Sequence, residues 1–416
     1  MRRPSKSPSR KLSSDSHRLV SLAQGLVQSS SRLEERAWER CLDTLLHKLL
    51  KTNHQDTLDT ALDHLFKADL GAYDALMESV EACSESCTIE HDEVSYDALL
   101  IAVPILAWTR FSIASGPIPA DVVATLSAHL HAHLLAADTK LAIAPTLFAI
   151  DQLPRSHAET FAVIQRMAHA AMTGAHIRPL ANPPETAPFL ADTRYLLAAV
   201  VVRAGEPMFH WQTTMNPADR EGALDQWRAQ ATPNIVRLLP GCSVELLLPE
   251  AYYVACREAD KAIRPASIRA AVHFLTHTLG VEPSGLRAVI GGFSEDPLSG
   301  RVDEYRIGFT LRQSPDVVYG LVWPLYGQED EEEANEATLE VLISPEDAAV
   351  DGRQTPIEEI LLLLRECGIV HIKRHNERFP VEFCEDCGAP LYPDPDAELV
   401  HAEMPEDAPA GTGHFH

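Results

Sequence analysis

The sequence predicts an α+β protein with a helical N-terminal domain, a mixed α+β domain and a zinc-ribbon-like knuckle at the C-terminus. Apolar residues recur every three or four positions over residues 30–178, which is the period of an amphipathic helix. Over residues 305–325 they alternate with polar residues, which is the period of a strand with one buried face. Near the C-terminus, Cys384 and Cys387 are separated by two residues, a spacing typical of metal sites.

The first domain is predicted to be all-helical over residues 30–178. Its clearest stripe comprises Trp38, Cys41, Leu42, Leu45, Leu46 and Leu49. Leu58, Leu62 and Leu65 repeat the stripe, and further helical runs are predicted over 95–113, 120–136, 139–152 and 157–174. No repeat of fixed period is present, so a helical bundle is favoured over a solenoid.

A proline-rich linker over 177–192 precedes a predicted α+β domain over 190–380. Strands are predicted at Tyr195–Val202 and Val244–Leu248, and a hairpin is predicted from the two alternating runs that flank residues 313–315. Helices are interspersed with these strands: one ends at Gly280, and another begins at Thr355 with a capping box that includes Glu358. Mixed helices and strands with an antiparallel hairpin are typical of an α+β domain.

Charge excludes some classes of function. The 416-residue chain has a formal net charge of −25, a field that repels phosphate backbones and anionic lipid surfaces. Nucleic-acid and membrane binding are therefore disfavoured. No run reaches the ~20 apolar residues of a membrane span and no signal peptide is apparent, so we expect a cytoplasmic protein.

The N-terminus departs from this acidic balance. Residues 1–14 contain five basic residues and no acid, and residues 1–29 are predicted to form a disordered basic arm. The arm is either a tether for an anionic partner or a solubilising tail. At the other end, residues 406–416 are predicted to be a flexible tail.

The C-terminal cysteine pair is the most informative motif. Two thiolates in a tight turn can bind one ion, and Gly388 lets the chain turn so that backbone N–H groups point at the sulfur atoms. His401 follows Cys387 after thirteen residues, a spacing typical of the second half of zinc-ribbon sites, which the segment 381–405 resembles. We therefore predict a structural zinc site with Cys384, Cys387 and His401 as ligands.

The fourth ligand is left open by the sequence. The candidates are Glu403, His371, His375, Cys367, His414 and His416. A redox-active dithiol, which requires a helix after the first cysteine, is opposed by Gly388 and Pro390. Two incidental free thiols remain an alternative, whereas an iron–sulfur cluster lacks the four local thiolates that it requires.

Other groupings are weaker. His129 and His133 lie four apart without the acidic residue of a metalloprotease motif. Cys83, Cys87 and His91, and also His273 and His277, repeat the four-residue spacing and are interpreted as packing or helix-end residues. Gly291 and Gly292 end a predicted strand, where either a ligand approaches the backbone closely or the chain forms a turn or bulge. The acidic run 329–333 is either a recruitment patch or a solvated loop.

Two segments resemble a betaproteobacterial family classed as domain of unknown function 2863. The first runs from Arg378 through Cys384 and Cys387 to Pro393 and closes with Val400–Glu403, and the second is Val318–Leu325. The resemblance implies a bacterial, cytoplasmic protein and supports treating the cysteine pair and His401 as one unit. It implies neither a substrate nor an activity.

No catalytic motif or phosphate-binding loop is apparent in the sequence. The favoured function is therefore that of a zinc-stabilised cytoplasmic protein that acts by binding another protein. The alternative is a metal-dependent hydrolase or small-molecule enzyme with its site between the two domains.

Overall fold

The computed structural model describes residues 12–110, 112–178, 189–216, 218–295, 301–326, 329 and 355–405, and it confirms the α+β class. The helices are α1 (Ser14–Val27), α2 (Arg32–Lys51), α3 (Gln55–Ala68), α4 (Leu70–Glu85), α5 (Ala120–His133), α6 (His157–Thr173), α7 (His210–Thr214), α8 (Ala218–Val236), α9 (Tyr252–Leu279) and α10 (Pro356–Glu366). The strands are β1 (Ser86–His91), β2 (Val94–Trp108), β3 (Gly116–Pro117), β4 (Lys140–Ala149), β5 (Ala191–Arg203), β6 (Ser243–Leu246), β7 (Glu250–Ala251), β8 (Leu286–Ser294), β9 (Glu304–Leu311), β10 (Val317–Pro324), β11 (His371–Pro380), β12 (Tyr392–Pro393) and β13 (Leu399–Val400).

The first lobe is built on a seven-stranded sheet in the order β1-β2-β5-β4-β3, with β6 and β7 also paired to β2. Its long central pair, β2 and β5, is antiparallel from Tyr96↔Arg203 to Trp108↔Ala191. Helices cover both faces. Leu100 and Ala102 of β2 pack into the layer that contains α1–α4 and α6, whereas Ile101 and Val103 pack into the layer that contains α5 and α8.

The prediction of an all-helical segment over 30–178 is wrong at β1, β2 and β4. The runs 95–113 and 139–152, predicted as helices, contain the strands β2 and β4. Since both faces of these strands are buried, they carry continuous apolar runs in place of alternation, and such runs resemble buried helices. The predicted boundary near 178–190 also fails, because β5 lies beyond it and pairs with β2 and β4 in the same sheet.

The prediction of a disordered arm is wrong from residue 14 onward. Ser13 caps α1 by accepting a hydrogen bond from the Ser16 N–H, and Leu19 and Leu22 of this helix are buried in the core. The strongly basic start of the arm, residues 1–11, lies outside the described residues, as do most of the predicted linker and the tail 406–416.

The second lobe contains a four-stranded sheet in the order β10-β9-β8-β11. The predicted hairpin is confirmed as β9 and β10, and β11 pairs in parallel with β8 at the edge of the sheet. The capping box predicted at Thr355 is confirmed at the start of α10, where the side chain of each of Thr355 and Glu358 accepts a hydrogen bond from the backbone N–H of the other. α10 and the second half of α9 pack on one face of this sheet.

Helix α9 joins the two lobes. Its first half contributes Tyr252, Ala255 and Ala259 to the core of the first lobe, and its second half contributes Ile268 and Leu275 to the core of the second. It ends at Gly280, as the sequence predicts, in the left-handed conformation that favours glycine. With α9 and α10 on one face, the other face of the second sheet is left for the C-terminal segment.

Candidate metal centre

The cysteine pair lies in a tight knuckle between Phe383 and Pro390, which form an isolated antiparallel bridge. The Cys384 N–H donates to the Ala389 carbonyl at 2.7 Å, and the Gly388 N–H donates to the Cys384 carbonyl at 2.9 Å. Gly388 has φ +72°, a conformation that costs other residues about 1–2 kcal/mol. This is the turn that the glycine after Cys387 predicts.

The knuckle favours the thiolate form of Cys384. Hydrogen bonds from the backbone N–H groups of Cys387 and Asp386 to the sulfur lower the pKa of the Cys384 thiol. Since only the thiolate binds a metal strongly, a lowered pKa prepares this sulfur as a ligand near neutral pH.

His401 reaches the knuckle from the end of a short two-stranded sheet. Strands β12 and β13 pair antiparallel, with the register Tyr392↔Val400 and Pro393↔Leu399. This pairing brings the chain back so that His401, which follows β13, lies beside the cysteines. Its Nε2 is 3.2 Å from Cys387 Sγ. Within the described part of the chain its Nδ1 makes no hydrogen bond, and it lies 3.5 Å from a carboxylate oxygen of Glu403.

The ligand atoms of Cys384, Cys387 and His401 all lie within 4.8 Å of one another. Ligands around a tetrahedral zinc ion, at about 2.3 Å for sulfur and about 2.0 Å for nitrogen, are separated by about 3.3–3.8 Å. The spacing therefore fits a metal ion bound by both sulfurs and by Nε2, with Glu403 placed to orient the ring through Nδ1. The structure thus brings together the three residues that the sequence singles out, and this cluster can hold a metal ion.

The described residues supply three ligands to this cluster and no fourth. His375 is buried away from it, with Nε2 2.8 Å from the Asp394 carbonyl, and Cys367 caps the end of α10. Glu403 contacts the ring of His401 and is not a member of the cluster. His414 and His416 lie outside the described residues.

Glycines on the second sheet let the C-terminal segment lie directly against the strands. Gly320 and Gly308 are register partners in β10 and β9. A Cβ atom on Gly320 would lie 2.1 Å from the ring of Tyr392, and one on Gly308 would lie 2.8 Å from the Pro393 carbonyl oxygen. The sheet therefore carries a groove, without side chains, into which β12 fits.

Gly291 extends this groove onto β8, where an added Cβ would lie 2.8 Å from the ring of Phe379. The sequence leaves two interpretations of the glycines here, the close approach of a ligand or a turn or bulge in the strand. The structure shows that the approaching group is a side chain of the same protein.

Arg306 fastens the knuckle to the sheet, a role that the sequence pattern does not single out. Its side chain is fully buried, and its Nη1 donates to the carbonyls of Glu382 and Leu391, at 2.6 and 2.7 Å, on the two sides of the knuckle. Its Nε donates to Glu304 at 2.7 Å, and its guanidinium carbon lies 4.3 and 5.0 Å from the ring centroids of Phe293 and Phe383. In the sequence Arg306 is one of the polar residues that alternate with Tyr305 and Ile307, so the pattern predicts an exposed side chain and gives no sign of its burial.

The weaker groupings do not form metal clusters among the described residues. His129 and His133 stack at 6.3 Å between ring centroids, and His273 and His277 stack at 6.2 Å. Cys83 lies in α4, whereas Cys87 and His91 lie in β1, so these three residues do not share a helix face. Burial raises the pKa of Cys83 to about 12 and that of Cys87 to about 11, which disfavours the thiolates that a metal requires.

In the part of the chain that the structure describes, none of the helices combines the length and the apolar character required to cross a membrane.

Three comparisons with known proteins bear on the identity of the chain. No match was found among curated proteins or among solved structures. The family described as "Protein of unknown function (DUF2863)" matches residues 4–415, nearly the whole chain, so the chain belongs to this family.

Proposed function

We propose that this protein is a zinc-stabilised binding protein without catalytic activity, in which the metal holds the C-terminal segment against the second sheet. The observation that carries the proposal is the convergence of Cys384, Cys387 and His401 within 4.8 Å. Two sulfurs and one imidazole form a soft ligand set, which suits zinc and disfavours magnesium or calcium.

A structural role for the ion follows from what the segment does. The ion would link the knuckle to His401, which lies beyond β13, and so close a loop that includes Tyr392 in its glycine groove. Metal binding to such a site contributes to folding stability, because the ligands are not preassembled in the unfolded chain.

The test is the metal content of purified protein, with wild type beside Cys384→Ser/Cys387→Ser and His401→Asn. We expect about one zinc ion per chain in wild type, a loss of zinc from the double variant and weakened retention in His401→Asn. Cys41→Ser, which changes an exposed cysteine of α2, is the matched control and should retain the metal. Freshly reduced wild type without metal would refute the zinc assignment.

A protein partner is supported by an exposed apolar surface on the helical layer of the first lobe. Val27 and Phe66, at the ends of α1 and α3, and Leu70 at the start of α4 are each 45% exposed or more. Val27 lies beside the backbone at Gly71, and the ring of Phe66 packs edge-on against Tyr73 at 5.3 Å. We name Val27, Phe66, Leu70 and Tyr73 the α4 patch.

Acidic residues border the α4 patch. Burial raises the pKa of Tyr73, and the carboxylates of Asp74, Glu81 and Asp63 raise it further. Because Glu81 is paired with Arg257, the negative potential over this surface comes from Asp63 and Asp74. Apolar contact area with a negative border suits a partner segment that presents aliphatic side chains flanked by lysine or arginine.

Site-specific photo-crosslinking in the native host tests this surface. With p-benzoylphenylalanine in place of Phe66 we expect an adduct with another protein, and Asp63→Lys/Asp74→Lys should weaken it. The same probe in place of Met215, which is 84% exposed on the other layer, is the control and should give no adduct. Equal adducts at both positions, or none at Phe66, would remove the α4 patch as a partner surface.

A metal-dependent hydrolase is the second candidate, and one observation favours it. The described residues fill three ligand positions, as in catalytic zinc sites in which water takes the fourth. Substitution with cobalt discriminates the two. An absorption spectrum that shifts on addition of cyanide indicates an exchangeable ligand, whereas an unchanged spectrum supports the structural role.

We assign the protein to the cytoplasm as part of the same proposal. All eight cysteines are free, including Cys384 and Cys387, which lie close enough to share an ion. Reduced thiols of this kind suit a reducing compartment.

A further inference from the structure

A second site lies at the edge of the second sheet, on the face that carries the C-terminal segment. It is a cleft of about 350 Å³ lined by Arg287, Val370, His371, Ile372, Lys373, Pro395 and Asp396. None of the three candidate metal ligands lines it. We propose that this cleft, named here the β11 cleft, binds the phosphate group of a small molecule.

The strand register places three basic side chains together. His371 of β11 is the register partner of Arg287 of β8, and Lys373 lies two residues further along β11 on the same face as His371. Two of these groups carry a permanent positive charge and the third is an imidazole. Such a concentration of cations stands out in a chain with net charge −25.

The two permanent cations donate hydrogen bonds to backbone carbonyls, although the acid Asp396 lines the same cleft. Arg287 Nη2 donates to the Arg312 carbonyl at 3.1 Å, and Lys373 Nζ donates to the Pro395 carbonyl. Within the described ranges, neither side chain forms an ion pair with a carboxylate. Each donor group therefore retains N–H bonds and a full charge for an incoming anion.

A turn with a fixed shape forms the outer wall of the cleft. The buried carboxylate of Asp394 accepts hydrogen bonds from the backbone N–H groups of Asp396 and Glu398, both at 2.8 Å. His375 Nε2 lies 2.8 Å from the Asp394 carbonyl and ties the turn to β11. A wall held in this way is formed before the ligand arrives, which reduces the entropic cost of binding.

The donors of the cleft suit a phosphate group. The guanidinium of Arg287 offers a planar fork for two oxygens and Lys373 offers a compact charge, a combination suited to a dianion. The volume is that of a pocket for a small molecule and does not suit a long groove. Val370, which is 68% exposed at the rim, can contact the organic part of the ligand.

Asp396 is the one acid in the lining and sets the sharpest test. Its carboxylate opposes an anion, so Asp396→Asn should tighten binding, whereas Arg287→Gln or Lys373→Gln should weaken it. If the cations serve only to protect an exposed edge strand from pairing with another chain, these changes should have no such effects on phosphate binding. In that case binding would be absent or insensitive to all three.

The experiment is a titration of the full-length protein with inorganic phosphate at low ionic strength, followed by calorimetry. Loss of one charge-assisted contact should raise the dissociation constant by roughly 10-fold to 100-fold, and Asp396→Asn should lower it several-fold. Arg203→Gln, at the exposed end of β5, is the control and should leave the constant unchanged. No heat of binding with wild type, or an equal effect of Arg203→Gln, would overturn the proposal.

Discussion

The groove on the second sheet makes a quantitative prediction about Gly320. An alanine at this position would place its Cβ 2.1 Å from the Tyr392 ring, far inside ordinary contact distance. A partial shift of the ring costs about 1–3 kcal/mol, as other overpacked sites do. Tyr392 is only 8% exposed, so complete loss of its packing sets an upper limit of about 3–5 kcal/mol.

Hydrogen exchange of the segment 390–403 is the appropriate assay, because it reports the local free energy of opening. Each 1.4 kcal/mol corresponds to about a tenfold faster exchange, so Gly320→Ala should accelerate exchange by roughly 5-fold to 100-fold. Gly222→Ala is the matched control, since the added Cβ would meet no described atom within 4 Å beyond its chain neighbours and its own helix backbone, and the site is in α8 of the other lobe. It should leave exchange of this segment unchanged.

A double-mutant cycle isolates the contact between the two residues. In the Tyr392→Ala background the ring is absent, so Gly320→Ala should cost less than about 0.5 kcal/mol. A coupling energy of at least about 1 kcal/mol between the two changes is therefore expected. If Gly320→Ala is equally costly with and without the ring, the groove is not what positions the segment.

Three further predictions follow from single residues. Arg306→Met leaves Glu304 and two carbonyls without their donor, and it should lower the free energy of unfolding, measured by urea denaturation, by about 3–5 kcal/mol. A loss below about 1 kcal/mol would show that Arg306 does not hold the knuckle on the sheet. Burial raises the pKa of Glu85, whose carboxylate accepts the Tyr253 N–H, to about 7 from its ordinary 4.5. The pKa of Glu85 is higher in the folded than in the unfolded state, so its contribution to stability is complete below about pH 4.5 and is lost as the pH rises through about 7. The free energy of unfolding of wild type should therefore fall by about 2 kcal/mol between about pH 5.5 and pH 8, and that of Glu85→Gln should not. Gly388→Ala forces a φ of +72° on a residue with a Cβ and should weaken metal retention against a chelator by roughly 5-fold to 30-fold, whereas unchanged retention would show that the turn is adaptable.

The candidate metal centre was predictable because its determinants are local. The knuckle requires two cysteines, one glycine and a tight turn, all within Phe383–Pro390, and these are visible in the sequence. His401 lies further along the chain but within the same short segment, so its spacing could be matched to known sites. The structure confirms that the three residues form a cluster, and the identity of the ion remains a prediction.

The helical prediction failed where burial on both faces erased the pattern. In β2, successive residues such as Leu100 and Ile101 enter different cores, so both are apolar and no alternation remains. In β9, by contrast, Arg306 and Gly308 face the C-terminal segment and Ile307 faces the helices. There the alternation survives, and the hairpin was predicted correctly. Periodicity reports the contrast between two faces and loses its signal when the contrast disappears.

The docking of the knuckle could not be predicted because it depends on residues far apart in the chain. Gly308 and Gly320 are unremarkable singly, since an isolated glycine in a strand also fits a bulge. Their significance appears only when β9 and β10 pair and place them side by side under Tyr392. Arg306 likewise finds its two carbonyl partners more than seventy residues away.

These contacts determine how the effect of metal loss should spread. The second sheet buries one face under α9 and α10, and its other face is covered in part by the segment that the metal would hold. Release of the knuckle would expose the fully buried guanidinium of Arg306 and the ring of Tyr392 together, since both contact the same short segment. Helix α9 links this region to the core of the first lobe, which contains the first half of that helix. We therefore expect metal removal to loosen the second lobe while the seven-stranded sheet retains its protection from exchange. Uniform loss of protection in both lobes would instead show that α9 transmits the change as a rigid unit.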